Sequence, residues 1–141
     1  MAQQLNPALY GLVASNAIDR DFNKFSSAAD GEYSEDVWRL ELGYDVEIHS
    51  IKVYNRVAKC THIRDRIFNS TLCVMRNGTA PKLECIHDKN FKWSKNIRYQ
   101  FYFEFLFNPP VTGSEIFSAK NTKHKWFDNS LNTAEVQVFG R

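Results

Sequence analysis

The sequence predicts an all-β fold, an antiparallel β-sandwich of the jelly-roll kind. Residues 97–107 place an apolar side chain at every second position, with six aromatic or aliphatic residues on one face. Several other short runs alternate with period two and are separated by turn residues, as strands of a sandwich are. No stretch has the three-to-four-residue apolar spacing of an amphipathic helix.

Taken in order, Trp38, Leu40 and Leu42 alternate with Arg39 and Glu41, which gives a strand one inward and one outward face. Val46 and Ile48 continue the alternation, but Ile51 and Val53 are out of phase with them. A bulge, or a break between two short strands, is expected near His49-Ser50. Leu72 and Val74, with Cys73 between them, form a strand before an Asn77-Gly78 turn. The aromatic strand from Ile97 to Phe107 is expected to stop at Asn108-Pro109-Pro110, because proline cannot donate to a ladder. A last strand, 133–139, puts Ala134, Val136 and Val138 on one side.

The 141 residues fit one domain spanning the whole chain. Hydrophobic residues make up 43% and aromatics 14%, with 11 Phe, a composition that builds a core and excludes disorder. The net charge of +2 points to no nucleic-acid partner. No run of 18 apolar residues is long enough to be a membrane span. The first residues, Met1 to Pro7, lack the basic and apolar regions of a secretory signal. Of the three cysteines, Cys60, Cys73 and Cys85, the best candidate pair is Cys73 and Cys85, 12 apart across the turn; the alternative is three reduced thiols. Asn69-Ser70-Thr71 and Asn77-Gly78-Thr79 are glycosylation triplets, meaningful only in a secreted chain.

Three constellations carry chemistry. Asn16-Ala17-Ile18-Asp19-Arg20-Asp21, followed by Ser26, Ser27 and Asp30, gathers hard oxygens that suit calcium, or else forms a carboxylate-capped turn without metal. The segment from Asn55 to Arg66 sets Arg56, Lys59, His62, Arg64 and Arg66 just after a strand. Such donors bind sugar hydroxyls or acidic sugars; the other reading is a solvated charged loop. Lys120 to Asn129 places Trp126 and Phe127 among lysines, for a sugar face, a membrane interface or the core. Trp93 carries the same choice between stacking and core. No nucleophile elbow, P-loop or dinucleotide fingerprint is present, and Glu32, Glu35 and Asp36 lie in a charged loop, so no enzyme is expected.

Ser15 to Asp19, Val37 to Gly43, Ile51 to Arg56 and Thr133 to Gly140 together resemble the discoidin (factor V/VIII C-type) and fucolectin group of galactose-binding-like domains. The resemblance covers roughly residues 5 to 140 and thins between 80 and 125. It implies a galactose-binding-like jelly roll with neighbouring termini, and loops that bind glycans or glycoproteins. It also implies a structural calcium held by the Asp19 and Glu135 side chains. Main-chain oxygens of Asn16, Asp21 and Ala134 and a Ser26 or Ser27 oxygen would complete the shell. Arg20 stands where that group has glycine. In the sugar-binding loop Arg56 matches the group's first arginine, and Arg64 or Arg66 must serve as the second. Ala58 replaces an aspartate, Cys60 is left of a cysteine pair, and Ala29-Asp30 stand where a histidine is expected. The candidate ligand-binding residues are therefore Asp30, Arg56, Lys59, His62, Arg64 and Arg66. The implied protein is an extracellular or surface-exposed lectin-like homo-oligomer. The alternatives are a glycan-silent interaction or attachment domain and a reader of anionic lipid surfaces.

Overall fold

The computed structural model describes residues 1–4, 12, 14–27, 37–57, 70–77, 82–86, 90–95, 97–120 and 132–141. Among the described residues nine strands are antiparallel to their neighbours: β1 Ala2–Gln4, β2 Ser26–Ser27, β3 Val37–Tyr54, β4 Ser70–Arg76, β5 Lys82–Ile86, β6 Asn90–Trp93, β7 Phe101–Lys120, β8 Asn132–Thr133 and β9 Glu135–Gly140. A 3-10 turn covers Ala14–Ile18. The two long strands β3 and β7 organise the rest. The first half of β3 pairs with β1 and with residues 115–119 of β7, which in turn pair with β4. The second half, Ser50 to Tyr54, pairs with β9 and with residues 102–106 of β7, whose other edge takes β6. Both halves feed one apolar cluster that includes Trp38, Leu40, Ile51, Val53, Phe103 and Ile116. Burying each such side chain contributes about 1.5–3 kcal/mol.

The alternation along β3 is as expected, and so is the slip. The register with β7 and with β9 shifts between Ile48 and Ser50: against β9 His49 is the extra residue, whereas against β7 it stands opposite residues 107–110, and its imidazole lies 2.7 Å from Glu47 Oε1. A second irregularity, between Glu41 and Val46, carries Gly43 at φ 89°. The chain ends meet β3 on either side of it. Met1 exchanges hydrogen bonds with Glu41, and Arg141 with Glu47.

The aromatic strand differs from expectation at both ends. It begins at Phe101, because residues 97–100 form a turn with Tyr99 at φ 62°. It runs on through Asn108-Pro109-Pro110 to Lys120. The prolines do not end it because they fall in the register gap between Leu106 and Val111, where no N–H is owed to β3. Within it Phe101, Phe103, Phe105 and Phe107 are buried as the period predicts. Cys73 and Cys85 face each other across β4 and β5 and form a disulfide.

Candidate functional site

The segment 14–27 is tied once to β3 and twice to the chain's last strands. Trp38 Nε1 donates to the Ala14 carbonyl (3.0 Å), β2 pairs with β8, and Arg20 N–H donates to Glu135 Oε2 (3.1 Å). Asn16, Asp19, Asp21, Ser27, Ala134 and Glu135 therefore lie in one neighbourhood, although more than 100 residues of chain separate the two groups. Ser27, Ala134 and Glu135 are buried. Asn16 donates its side-chain amide to the Phe25 carbonyl (3.1 Å), which ties the 3-10 turn to the residues before β2.

Arg20 adopts φ 65°, the left-handed conformation that glycine favours, so an arginine holds the turn shape that the sequence alone put at issue. Asp19 Oδ1 accepts the Asp21 amide (2.8 Å) and Asp21 Oδ1 accepts the Asn23 amide (3.1 Å). Lys24 Nζ lies 3.5 Å from Asp19 and 3.7 Å from Asp21. The turn is thus a chain of carboxylate-capped amides whose second oxygens point to a cation. Glu135, 3% exposed, has the Arg20 amide as its hydrogen-bond partner. Burial pushes its carboxyl up to about 7; the Arg20 amide opposes this, and the nearby Asp19 charge adds to it. A buried carboxylate beside a second carboxylate gains from a hard cation, so the donor chemistry fits calcium. Among the described residues no three His, Cys, Asp or Glu side chains cluster as a metal site, so a calcium held here would need main-chain oxygens for much of its shell.

Of the candidate ligand-binding residues, Arg56 lies at the end of β3, while Asp30, Lys59, His62, Arg64 and Arg66 lie outside the described residues. Arg56 is half-buried, its guanidinium carbon 4.0 Å from the centre of the Phe25 ring. Asn55, fully buried, anchors the strand end: its amide donates to Phe101, and its side-chain oxygen accepts the Arg56 amide (2.9 Å). Gln100 Nε2 donates to both the Asn55 and the Phe22 carbonyls (2.9 Å each), tying the 19–25 turn to the start of β7. Neither Asn55 nor Gln100 stands out in the sequence, since period two alone does not separate a buried amide from an exposed one.

One further feature escaped the sequence. On the face of the sheet away from the core, Tyr54 and Tyr102 stack with ring centres 4.7 Å apart, and Phe22 meets Tyr54 edge-on at 4.8 Å. With Lys52, and with Ser94, Lys95 and Ile97 from the connection after β6, they line a cleft of about 310 Å³. The signal was present as the polar face of β3, but nothing local shows which strand lies beside it. Trp93, expected either to stack on a ligand or to fill the core, is 53% exposed with its ring edge-on to Phe101 at 5.7 Å. Trp126 and Phe127 lie outside the described residues.

No model of a known protein family matches this chain, and no curated protein does. Solved structures do. The lectin domain of lectinolysin, in complex with Lewis B antigen, superposes at TM-score 0.73 and 18% identity over 100% of this chain and 92% of that one. A fucose-binding module of Streptococcus pneumoniae gives 0.72 at 16% identity, over 100% and 91%. The serum fucolectin of the striped bass, Morone saxatilis, gives 0.71 at 21% identity, over 99% and 46%. The chain therefore has the galactose-binding-like jelly-roll fold shared by F-type lectins and discoidin-like modules, as its sequence predicts.

Proposed function

We propose that the chain is a non-catalytic glycan-binding domain whose mouth lies at the end of the fold where β3 runs out at Arg56. The posture of Arg56 carries this reading. A planar guanidinium laid on Phe25 is already ordered, so it loses little freedom on binding, and its geometry suits sugar hydroxyls and acidic sugars. It opens the segment that holds Lys59, His62, Arg64 and Arg66, with Asp30 as a further contact. Fold neighbours solved in complex with Lewis B antigen, galactose and GalNAc-β-1,3-galactose lend support.

A structural calcium belongs to the same reading. The Asp19 and Glu135 side chains, main-chain oxygens of Asn16, Asp21 and Ala134, and a Ser27 oxygen would hold it. Bound there, calcium would neutralise the buried Glu135 and stiffen the turn that carries Phe25. The disulfide suits an oxidising, extracellular or cell-surface setting. Because single shallow sugar sites are weak, avidity through a homo-oligomer is part of the proposal.

A broad glycan array on the full chain, run with calcium and with chelator, tests it. The expected result is a glycan signal abolished by Arg56→Ala; loss of signal in chelator alone assigns calcium to shaping the mouth. A blank array in both buffers overturns the reading and redirects attention to protein partners. Liposome binding that falls with salt would replace it with an anionic-lipid reader.

A further inference from the structure

We infer that the outer-face cleft between Phe22, Tyr54 and Tyr102 is a second ligand site, built for a sugar ring that carries an acidic group. Its volume, about 310 Å³, lies at the lower end of the range of small-molecule sites, roughly 300–1,000 Å³, which suits a single ring. The polar groups that line it are donors: the ammonium groups of Lys52 and Lys95, the hydroxyls of Tyr54 and Tyr102, and that of Ser94. No carboxylate is among the described lining residues. Neither Lys52 nor Lys95 makes an ion pair among the described residues; Glu104, the cross-strand neighbour of Lys52, is held by Lys92 at 3.3 Å. Lys52 Nζ is also pre-placed, 5.5 Å from the Tyr102 ring centre and 5.2 Å from that of Phe139. Phe22 and Ile97 add apolar walls for the C–H face of a ring. Two lysines over an aromatic floor match a carboxylate or sulfate joined to an apolar edge. The choice of a sugar over another small acid rests on the glycan reading above.

The test is titration of the full chain, followed through its backbone amide NMR spectrum. The probes are glucuronate, N-acetylneuraminate and galactose 6-sulfate, with galactose, fucose, acetate and inorganic sulfate alongside. The expected result is saturable shifts at Lys52–Tyr54, Ser94–Lys95 and Tyr102 with the acidic sugars. Lys52→Gln and Lys95→Gln should each weaken binding about five- to tenfold, and Arg76→Gln, on β4 and outside the cleft lining, should leave it unchanged. Carboxylate and sulfate sugars compared with each other identify the acid. The same spectra report that each variant is folded. The inference is overturned if no saturable shift appears at these residues, if the neutral sugars bind as well, or if acetate or sulfate alone binds as tightly. A blank glycan array with these shifts intact would dismiss the mouth and keep the cleft.

Discussion

Arg20 occupies a left-handed backbone position that costs a non-glycine residue about 1–2 kcal/mol. Glycine there relieves the strain but adds freedom to the unfolded chain, so Arg20→Gly is expected to stabilise the fold by up to about 1 kcal/mol. Equilibrium urea unfolding measures it, and destabilisation would show that the arginine side chain holds the turn. Glu135 gives a pH signature. Its folded pKa of about 7 lies above the ordinary 4.5, so the folded state binds this proton more tightly than the unfolded chain does. In chelator, its contribution to stability is full below about 4.5 and is lost as the pH rises through about 7. Across that window roughly 1–3 kcal/mol should disappear, and Glu135→Gln should flatten the slope. Melting curves from pH 4 to 8 decide this; an unchanged slope in the glutamine variant assigns the titration elsewhere. Arg39 makes a two-pronged contact with Glu115, 2.6 Å and 2.8 Å, across β3 and β7. Glu115 is buried, so Arg39→Ala strands a carboxylate and should cost about 1–3 kcal/mol.

The long strands tolerate irregularity only where no ladder is interrupted. Pro109 and Pro110 sit in the register gap opposite the His49 bulge, and the two features form one kink in the paired strands β3 and β7. Elsewhere the strands approach so closely that side-chain volume decides. A Cβ on Gly113 would lie 2.5 Å from Val74 Cγ1 and 2.8 Å from the Met75 carbonyl oxygen. Gly113→Ala must push β7 from β4 and is expected to cost about 1–3 kcal/mol in thermal or urea unfolding. The β4–β5 hairpin is closed by Cys73–Cys85 over a separation of 12 residues. Replacing both cysteines by serine should lower stability by about 2–4 kcal/mol, with the same effect from reductant on the parent protein. An unmoved melting temperature would mean that the hairpin is held by its ladder alone.

At the scale of the molecule, β3 gathers both chain ends, both candidate ligand regions and the core. Its inward side chains build the apolar cluster, its outward Lys52 and Tyr54 floor the cleft, and its last residues carry Arg56. The 19–25 turn lies against both regions, since Phe22 walls the cleft and Phe25 supports Arg56. An ordered turn should therefore affect both. Calcium is expected to raise the melting temperature of the chain and to leave Glu135→Gln less responsive, a shift that scanning calorimetry reads directly. A melting temperature indifferent to calcium would set the metal aside and leave the capped turn as the structural element.

Period-two patterning sufficed for the strand segments around 38–48, 51–53 and 72–74, for the bulge at His49 and for the inward phenylalanines, because burial on one face writes itself into every second residue; the strand expected at 133–139 is split at Ala134 into β8 and β9. The candidate metal residues and the place of Arg56 came instead from the resemblance to a known domain group. Other features depended on which strands became neighbours. The persistence of β7 through two prolines, the choice of Asn55 and Gln100 as buried anchors, the contact of Arg20 with Glu135 and the Tyr54–Tyr102 floor of the cleft are of that kind. Local sequence determines which face of a strand is apolar; the pairing of strands far apart in the chain determines what that face and its opposite side meet.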